Sequence, residues 1–423
     1  MLEFDNTTAF FLGIMKAQNR KDVFYMSEAV KKPNQNPEGY SPNFPKIVQM
    51  MGDINETKII TDITKLTDDG GTKRLTNIRR IRNWENFFLD SAIYSVGVAL
   101  GISFEDGFAP ISAVTGDMFT YMYSDVKPCD SGITNYVFMP EVITDAFSLF
   151  GSDCFYLSNA NIKADFDRAK RFIYESVDCG IPVLAWGMGD VSFKDGSIWT
   201  LPEGCFIGGY NKDEKLLFVN LYPEEVRLAE TSANGLPGVD EFGYTAIDER
   251  KALATTNGLF FITNKIAPPN MRDVYLKALN SIPHWLSLPE KDGYVYGKAA
   301  FEKWVDVLLD DSNWSTKELC DANMWNKHCC AYCSICTSIG VGDGNPLVNY
   351  LKKAFEEIPE FPNAERILEH YKHMRSLCQK IWDTHGDFMP PADKMVNHEF
   401  REGLAETLRE MGSICVEILS LFN

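Results

Sequence analysis

Cysteines and a histidine cluster in the last quarter of the chain at a spacing that could bind a metal cluster. Cys329, Cys333 and Cys336 form a C-x3-C-x2-C run, with Cys330 and His328 beside them. Thiolates at such short spacings are ligands of iron–sulfur clusters, including those of radical enzymes. In radical enzymes the cysteine loop comes early and a long barrel follows it, whereas only 87 residues follow Cys336. A radical or redox centre at this run is therefore disfavoured.

An apolar helix face explains the same run without a metal. At about 100° per residue, Cys329, Cys333 and Cys336 fall within about 60° of one another on a helix, and Trp325 lies on the same side. Free cysteine is common in protein cores, where it packs as a small hydrophobe. We predict that the run is a buried stripe of a helical domain, and we predict no cofactor.

A second set of possible metal ligands lies on a predicted amphipathic helix further along. His370 and His373, next to Glu369, are spaced i, i+3 and could bind a metal ion. Arg366 and Lys372 surround them with charge, which is typical of a solvated helix face. We therefore predict no metal site there.

The middle third of the chain has the pattern of a buried helix followed by a sheet. Residues 91–101 (SAIYSVGVALG) are almost all apolar, which predicts a helix buried on every side with Asp90 or Ser91 as its cap. A second helix, over about 162–178, leads into the apolar run 181–188, which predicts a central strand. Further strands are predicted at 205–210, 215–222 and 258–264, the first two as a hairpin.

Several of these segments carry a family resemblance. They are LDSAIYSVGVALGISFED (89–106), GIPVLAWGM (180–188) and PEGCFIGGYNKDEKLLFVN (202–220). The predicted helical part is also similar in its residue pattern, at 293–309, at 339–355 and in the helix through Ile381 and Trp382. Through them the chain resembles the BtrH-like proteins, relatives of the bacteriocin-leader-processing cysteine peptidases, whose namesake is an acyltransferase of aminoglycoside antibiotic assembly. The resemblance implies a papain-like fold, in which a nucleophile at a helix N-terminus faces a base on a hairpin strand.

The residues that would perform cysteine peptidase chemistry are missing from the expected positions. Where the resemblance implies a cysteine at the head of the buried helix, this chain has Phe88-Leu89-Asp90-Ser91, and no cysteine precedes Cys129. The base position before Gly209-Tyr210 is Glu203 by spacing. All six histidines lie at position 284 or beyond. A cysteine–histidine dyad therefore cannot form within residues 84–265. Only a histidine from the helical tail could act as the base of such a dyad.

Two functions remain open for this scaffold. The first is a non-catalytic protein that binds a peptide, an acyl chain or a carrier-bound small molecule, with Trp186, Cys205 and Tyr210 as candidate ligand contacts. The second is an acyltransferase or amide hydrolase with Ser91 as nucleophile, Glu203 as base and Asn220 as orienting residue, with Asp90 beside them. A carboxylate needs a raised pKa to accept a serine proton, so a cap role for Asp90 or Ser91 and a turn role for Glu203 are favoured.

The predicted fold class is α+β, in three parts. We predict an N-terminal extension at 1–83 that is partly helical, a papain-like α/β domain at 84–265 and an all-helical domain at 266–423. The last part is predicted helical because apolar residues recur there every three or four positions and strand patterns stop after 270. The cleft between the last two domains is the expected ligand site.

Charge and composition restrict the classes of molecule that the chain is expected to bind. The chain has 41 basic and 59 acidic residues, a net charge of −18, which repels nucleic acid and anionic lipid. One segment, KRLTNIRRIR (73–82), has the opposite sign; it is either a solvated helix face or a dock for an acidic carrier protein. No apolar run reaches the roughly 20 residues of a membrane span. The 11 cysteines lack a regular framework, which predicts reduced thiols and a cytoplasmic location.

Overall fold

A computed structural model describes the chain at residues 65–76, 88–102, 104, 107–129, 132–137, 140–149, 151, 154–186, 188–192, 198–201, 205–219, 244–262, 269–341, 346–386 and 389–422. The predicted helical part of the N-terminal extension lies outside these residues. The described part is of mixed α+β class, as predicted, and it divides into two units. Unit 1 contains the described residues of 65–76, 88–104 and 140–269, and unit 2 those of 107–137 and 270–422.

The strands and helices are numbered in chain order. The strands are β1 Lys65–Asp69, β2 Thr72–Thr76, β3 Met122–Tyr123, β4 Cys154–Ser158, β5 Val183–Trp186, β6 Met188–Ser192, β7 Ile198–Leu201, β8 Cys205–Asn211, β9 Lys215–Val219, β10 Tyr244–Asp248, β11 Gly258–Ile262 and β12 Val295–Tyr296. The helices are α1 Phe88–Ala99, α2 Ala109–Thr115, α3 Ile133–Tyr136, α4 Pro140–Ser148, α5 Asn159–Ala164, α6 Phe166–Asp178, α7 Glu249–Thr255, α8 Met271–Leu286, α9 Gly297–Leu309, α10 Lys317–Met324, α11 Cys330–Ser338, α12 Pro346–Glu357, α13 Ala364–His385, α14 Ala392–Val396 and α15 His398–Ser420.

Unit 1 is built on an antiparallel sheet of eight strands. Six strands follow the order β1-β2-β8-β5-β11-β4, while β9 pairs with β8 and β10 pairs with β9. The predicted hairpin is confirmed, because β8 and β9 are antiparallel neighbours with Tyr210 opposite Leu216. The predicted strands at 181–188 and 258–264 are confirmed as β5 and β11, whose side chains are buried throughout. A strand that is covered on both faces reads as a continuous apolar run, which is why the sequence revealed these two.

The basic segment 73–82 does not begin as a helix face. Its first four residues belong to β2, which pairs with β1 on one side and with β8 on the other. The β1–β2 turn is formed by Gly70 and Gly71, both with positive φ (61° and 100°), as a two-residue hairpin turn requires. The charged strand lacks a clear apolar alternation, so its pattern does not reveal a strand. Residues 77–82 lie outside the described part of the chain.

Unit 2 contains most of the helices, and it also takes in a segment from the middle of the sequence. The predicted boundaries put residues 106–139 with the α/β domain, whereas in the structure the described residues of that segment belong to unit 2. Strand β3 pairs with β12, and the ring of Tyr123 stacks on that of Trp304 with centroids 5.9 Å apart. A two-residue strand pair gives no periodic signal, so this long-range pairing was not predictable from local pattern.

The predicted amphipathic helices at the C-terminal end are confirmed. The part of the sequence in which apolar residues recur every three or four positions includes α12, α13 and α15. Apolar residues at this spacing predict one buried face on each of the last two long helices. The buried residues are Ile367, Tyr371, Met374, Cys378 and Ile381 on α13, and Leu404, Leu408, Met411, Cys415 and Ile418 on α15, whereas Phe422, the last residue of the second pattern, lies beyond α15 and is half-buried. Within the described residues, no helix is both long enough and apolar enough to cross a membrane.

Candidate functional site

Helix α1 holds two of the candidate catalytic residues, Asp90 and Ser91. Asp90 lies in its first turn and is completely inaccessible to solvent, as are Leu89 and Ile93. The helix packs against β5 and β8, so its apolar residues are covered by the sheet. Ser91 contributes its backbone to the helix, but its side chain lies outside the described residues. A carboxyl group, rather than a thiol, therefore occupies the buried first turn.

The other candidates are divided between the sheet and the part of the chain that is not described. Glu203 and Asn220 lie outside the described residues. Trp186 ends β5 and is 1% exposed, and Cys205 begins β8, where only its backbone is described. Since α1 packs against β5 and β8, the structure brings together the elements that carry Asp90, Trp186 and Cys205.

Tyr210, the last candidate ligand contact, is held by an acidic side chain of α6. Its hydroxyl donates a 2.7 Å hydrogen bond to Asp178, which also accepts from the Lys73 ammonium group at 2.9 Å. Burial and the bond to Asp178 raise the pKa of Tyr210, and the Asp178 bond raises the pKa of Lys73. The first basic residue of 73–82 is thus paired within its own unit, and Arg74 lies 3.8 Å from Asp69.

A matching set of residues continues this network towards α7. The Tyr174 ring stacks on the Tyr210 ring with centroids 3.7 Å apart and planes 7° from parallel. The Tyr174 hydroxyl donates to Glu249 at 2.9 Å, and Lys170 also bonds to this carboxylate. We call Lys73, Lys170, Tyr174, Asp178, Tyr210 and Glu249 the tyrosine clasp. Its hydroxyls and ammonium groups are engaged with carboxylates, so the clasp ties α6 to β2, β8 and α7.

The thiols that are described in unit 1 are poorly suited to nucleophilic chemistry. Cys154 and Cys179 are half-buried. Burial, with a smaller contribution from Asp178 and Glu175, raises the pKa of the Cys179 thiol. A nucleophilic cysteine requires the opposite shift, because the thiolate is the reactive form.

The histidines lie in unit 2, and five of the six have a polar partner inside it. His370 lies 3.3 Å from Glu417, His373 lies 3.1 Å from Glu410 and His398 lies 2.9 Å from Asp311, each measured between ring nitrogen and carboxylate oxygen. His328 and His385 bond to each other. His284 is exposed beside Trp285. The His370 and His373 pair therefore faces carboxylates of α15 as part of a charged helix surface.

The cysteine run of unit 2 is helical, and most of it is buried. Cys329, Cys330 and Cys333 are completely inaccessible, which confirms the predicted core packing for this part of the run. Cys336 departs from the prediction because it is half-buried and its sulfur lies 4.0 Å from that of Cys378 on α13. The predicted angle between Trp325 and the cysteines assumed a regular α-helix, whereas Trp325–Cys329 forms a π-helical turn, and Trp325 is half-buried.

The π-helical turn also places an imidazole in the core. His328 is 1% exposed; its Nδ1 accepts from the Trp304 indole N–H at 3.1 Å, and its Nε2 lies 3.0 Å from Nε2 of His385. Burial, followed by the neighbouring His385, lowers the pKa of His328 well below its usual range. In the sequence His328 stands out only as a neighbour of the cysteines, and His385 was not predicted to be its partner. The useful signal was that a histidine in an otherwise apolar segment needs a buried partner.

The buried histidines and cysteines of unit 2 do not form a metal site within the described residues. No group of three or more His, Cys, Asp or Glu side chains in the described part of the chain is arranged to hold a metal ion. The imidazole pair and the thiol pair each bring together only two such ligands, along one helix interface.

The chain matches no protein-family model and no curated protein. The predicted resemblance to the BtrH-like proteins therefore rests on the order of elements in unit 1 and on the sequence segments at 89–106, 180–188 and 202–220.

Proposed function

We propose that unit 1 is a papain-like domain that binds a peptide, an acyl chain or a carrier-bound small molecule without thiol–imidazole catalysis. Support for the papain-like assignment comes from the order of its elements. A buried helix, α1, precedes an antiparallel sheet and packs on β5 and β8, and the hairpin β8–β9 follows in the same sheet. The ligand class comes from the BtrH-like resemblance, since those proteins transfer or cleave acyl groups and peptides.

The observation that carries the proposal is the buried carboxyl group of Asp90 in the first turn of α1. A papain-like enzyme uses this end of the helix because the helix dipole stabilises an anionic thiolate there. The same dipole favours a carboxylate, but a carboxylate is a far weaker nucleophile towards amides than a thiolate. The first cysteine of the chain is Cys129, so a shift of the alignment by two or three residues does not restore a thiol.

The second half of a catalytic dyad is missing from unit 1 for the same reason. No histidine occurs in the sequence before His284. Five of the six histidines have a polar partner within unit 2, as described above. Catalysis by an imidazole base would first require one of those pairs to break, or would have to use the exposed His284.

The proposal is tested with the freshly purified full chain. Native mass spectrometry is expected to show a bound molecule of peptide, acyl or small-molecule mass that organic solvent releases. A panel of thioester and amide substrates is expected to be turned over no faster than in a heat-denatured sample. An epoxide probe that labels the active-site thiol of papain-like peptidases is expected to react with the folded chain no faster than with simple cysteine-containing peptides.

Three variants separate the proposed binding function from the alternative enzyme. Ser91→Ala and Glu203→Gln remove the proposed nucleophile and base of the hydrolase, and Ser95→Ala is a matched serine control in the same helix. Turnover by the parent chain that both catalytic variants abolish and Ser95→Ala retains would overturn the proposal in favour of the acyltransferase or hydrolase. A parent chain that carries no molecule and shows no turnover would also contradict it.

A further inference from the structure

One interface within unit 2 is built from a regular set of polar side chains. His328, Tyr332 and Cys336 are spaced four residues apart and so lie on one face of the helical segment that ends in α11. The opposing residues on α13 are Cys378 and His385, seven apart, which also share a face. His328 bonds to His385 and Cys336 contacts Cys378, so the two segments run in opposite directions.

Tyr332 lies between the two pairs and fixes their registration. Its hydroxyl donates a 3.2 Å hydrogen bond to the carbonyl oxygen of Cys378, and its ring packs edge-on against His385 with centroids 4.9 Å apart. Eight residues on one helix and seven on the other correspond to lengths of about 12 and 10 Å. The two spans are similar in length, so both pairs meet across the same interface, and the thiol contact is part of it.

Cys336 differs from the other three cysteines of its run because the residue is partly exposed. Cys329, Cys330 and Cys333 are completely inaccessible, and Cys378 is too. Cys336 is half-buried, with its sulfur 4.0 Å from that of Cys378. When the sulfur of a partly exposed cysteine lies against that of a second cysteine, oxidation of the first can be resolved by the second to give a disulfide.

We propose that Cys336 and Cys378 form a redox modification site, in which a peroxide oxidises the pair to a disulfide that joins α11 to α13. The Cys336 sulfur attacks one oxygen of hydrogen peroxide, the O–O bond breaks, and a sulfenic acid and water form. The Cys378 sulfur then attacks the sulfenic sulfur, the S–S bond forms, and a second water leaves. The two thiols lose two electrons and two protons in total, and the peroxide is reduced to two molecules of water.

The local environment sets the rate of this reaction. Burial and the contact with Cys378 raise the pKa of the Cys336 thiol well above its ordinary value, although part of the residue reaches the surface. Little thiolate is present at neutral pH, so oxidation is slow there and accelerates as the pH rises. A disulfide has an S–S length of about 2 Å, so the two sulfurs must approach each other by about 2 Å from their present separation of 4.0 Å. The disulfide is therefore a product of sustained oxidation rather than a rapid peroxide sensor.

The experiment is oxidation of the full chain with hydrogen peroxide at pH 7 and pH 8.5, followed by blocking of free thiols with N-ethylmaleimide. We expect the intact mass before blocking to fall by about 2 Da, two fewer thiols to be blocked, and dithiothreitol to reverse both changes. Trypsin should release a cross-linked product of the peptide 328–352 with the peptide 376–380, which contains Cys378. Because the thiolate fraction rises about tenfold per pH unit below the thiol pKa, the reaction should be about 30-fold faster at pH 8.5 than at pH 7.

Variants locate the bond, because the peptide 328–352 contains four cysteines. Cys336→Ser and Cys378→Ser should each abolish the linked product, whereas Cys333→Ser, one helical turn away, should retain it. Circular dichroism before and after treatment establishes that the oxidised chain is folded. A folded parent chain that forms no link between these peptides, or forms one that survives in Cys336→Ser, would overturn the proposal.

Discussion

Nε2 of His328 lies 3.0 Å from Nε2 of His385, inside the core of unit 2. Trp304 on α9 determines which ring nitrogens of this pair carry protons. The Trp304 indole can only donate, and it donates to Nδ1 of His328 at 3.1 Å. A neutral His328 therefore carries its proton on Nε2 and donates it to Nε2 of His385, which must carry its own proton on Nδ1.

This arrangement disfavours metal binding by the pair. A histidine that binds a metal through Nε2 keeps a proton on Nδ1 and donates it to a carboxylate, a carbonyl or water. In this core Nδ1 of His328 faces the N–H of Trp304 instead. A metal at Nε2 would therefore require a proton on Nδ1, and two N–H donors would then point at each other. The two rings are therefore explained as links in a buried hydrogen-bond chain.

We predict that acid destabilises unit 2 through His328. The folded pKa of this group lies below its value in an unfolded chain, 6.5, because burial and then His385 disfavour the charged ring. The unfolded state thus takes up the proton first as the pH falls. The stability that the neutral ring contributes is complete above about pH 6.5 and is lost below it by up to about 1.4 kcal/mol per pH unit. Urea unfolding followed by tryptophan fluorescence at pH 7.5, 6.5, 5.5 and 5.0 measures this loss.

The variant His328→Gln isolates the contribution of this ring. Glutamine can accept from Trp304 and donate to His385 without titrating, so the variant should show a shallower decrease in stability below pH 6.5. His284→Gln replaces the exposed histidine beside Trp285 and should retain the parent's pH dependence. If His328→Gln and the parent chain lose stability equally between pH 6.5 and 5.0, the assignment of the titration to His328 is wrong.

The elements that the sequence revealed are those whose pattern reflects local burial. Strands β5 and β11 were predictable because both of their faces are covered, and α13 was predictable because one face is. The β1–β2 hairpin was not, since a charged strand such as β2 owes its place to pairing with β8. The membership of residues 106–139 in unit 2 also depends on distant pairing, between β3 and β12.

The candidate sites follow the same division. Sequence spacing predicted that Cys329 and Cys333 are core residues, and both are inaccessible. It could not predict the partners of His328 and Cys336, because both partners are on α13, more than 40 positions away. The π-helical turn at Trp325–Cys329 also changed the angle of Trp325 relative to the cysteines from the one predicted for a regular α-helix. The tyrosine clasp was missed for a similar reason, since its members come from four separate elements.

The tyrosine clasp contains two ion pairs that differ mainly in burial, so the stability that each contributes can be compared directly. Lys170 pairs with Glu249, whose side chain is 2% exposed, whereas Lys73 pairs with Asp178, whose side chain is 39% exposed. Removing the partner of a buried carboxylate leaves an uncompensated charge, so Lys170→Met should cost about 3 kcal/mol. Lys73→Met should cost less than about 1 kcal/mol, as is usual for exposed pairs. Shifts of the urea midpoint at pH 7.5 measure both, and equal costs would contradict the role assigned to burial.

Two glycines of unit 2 provide a final prediction about packing around α2. Gly116 ends this helix with φ of 87°, and a Cβ atom built there would lie 2.1 Å from the ring of the buried Trp285. Gly107 also has positive φ, 62°, but a Cβ atom there would meet nothing within 4 Å. Backbone strain alone costs an alanine about 1 kcal/mol, and forcing side chains apart in a packed core adds about 2 kcal/mol. Gly107→Ala should therefore lower the free energy of unfolding by about 1 kcal/mol and Gly116→Ala by about 3 kcal/mol. Urea titration followed by tryptophan fluorescence would distinguish them, and a Gly116→Ala chain as stable as Gly107→Ala would show that Trp285 does not pack against this turn.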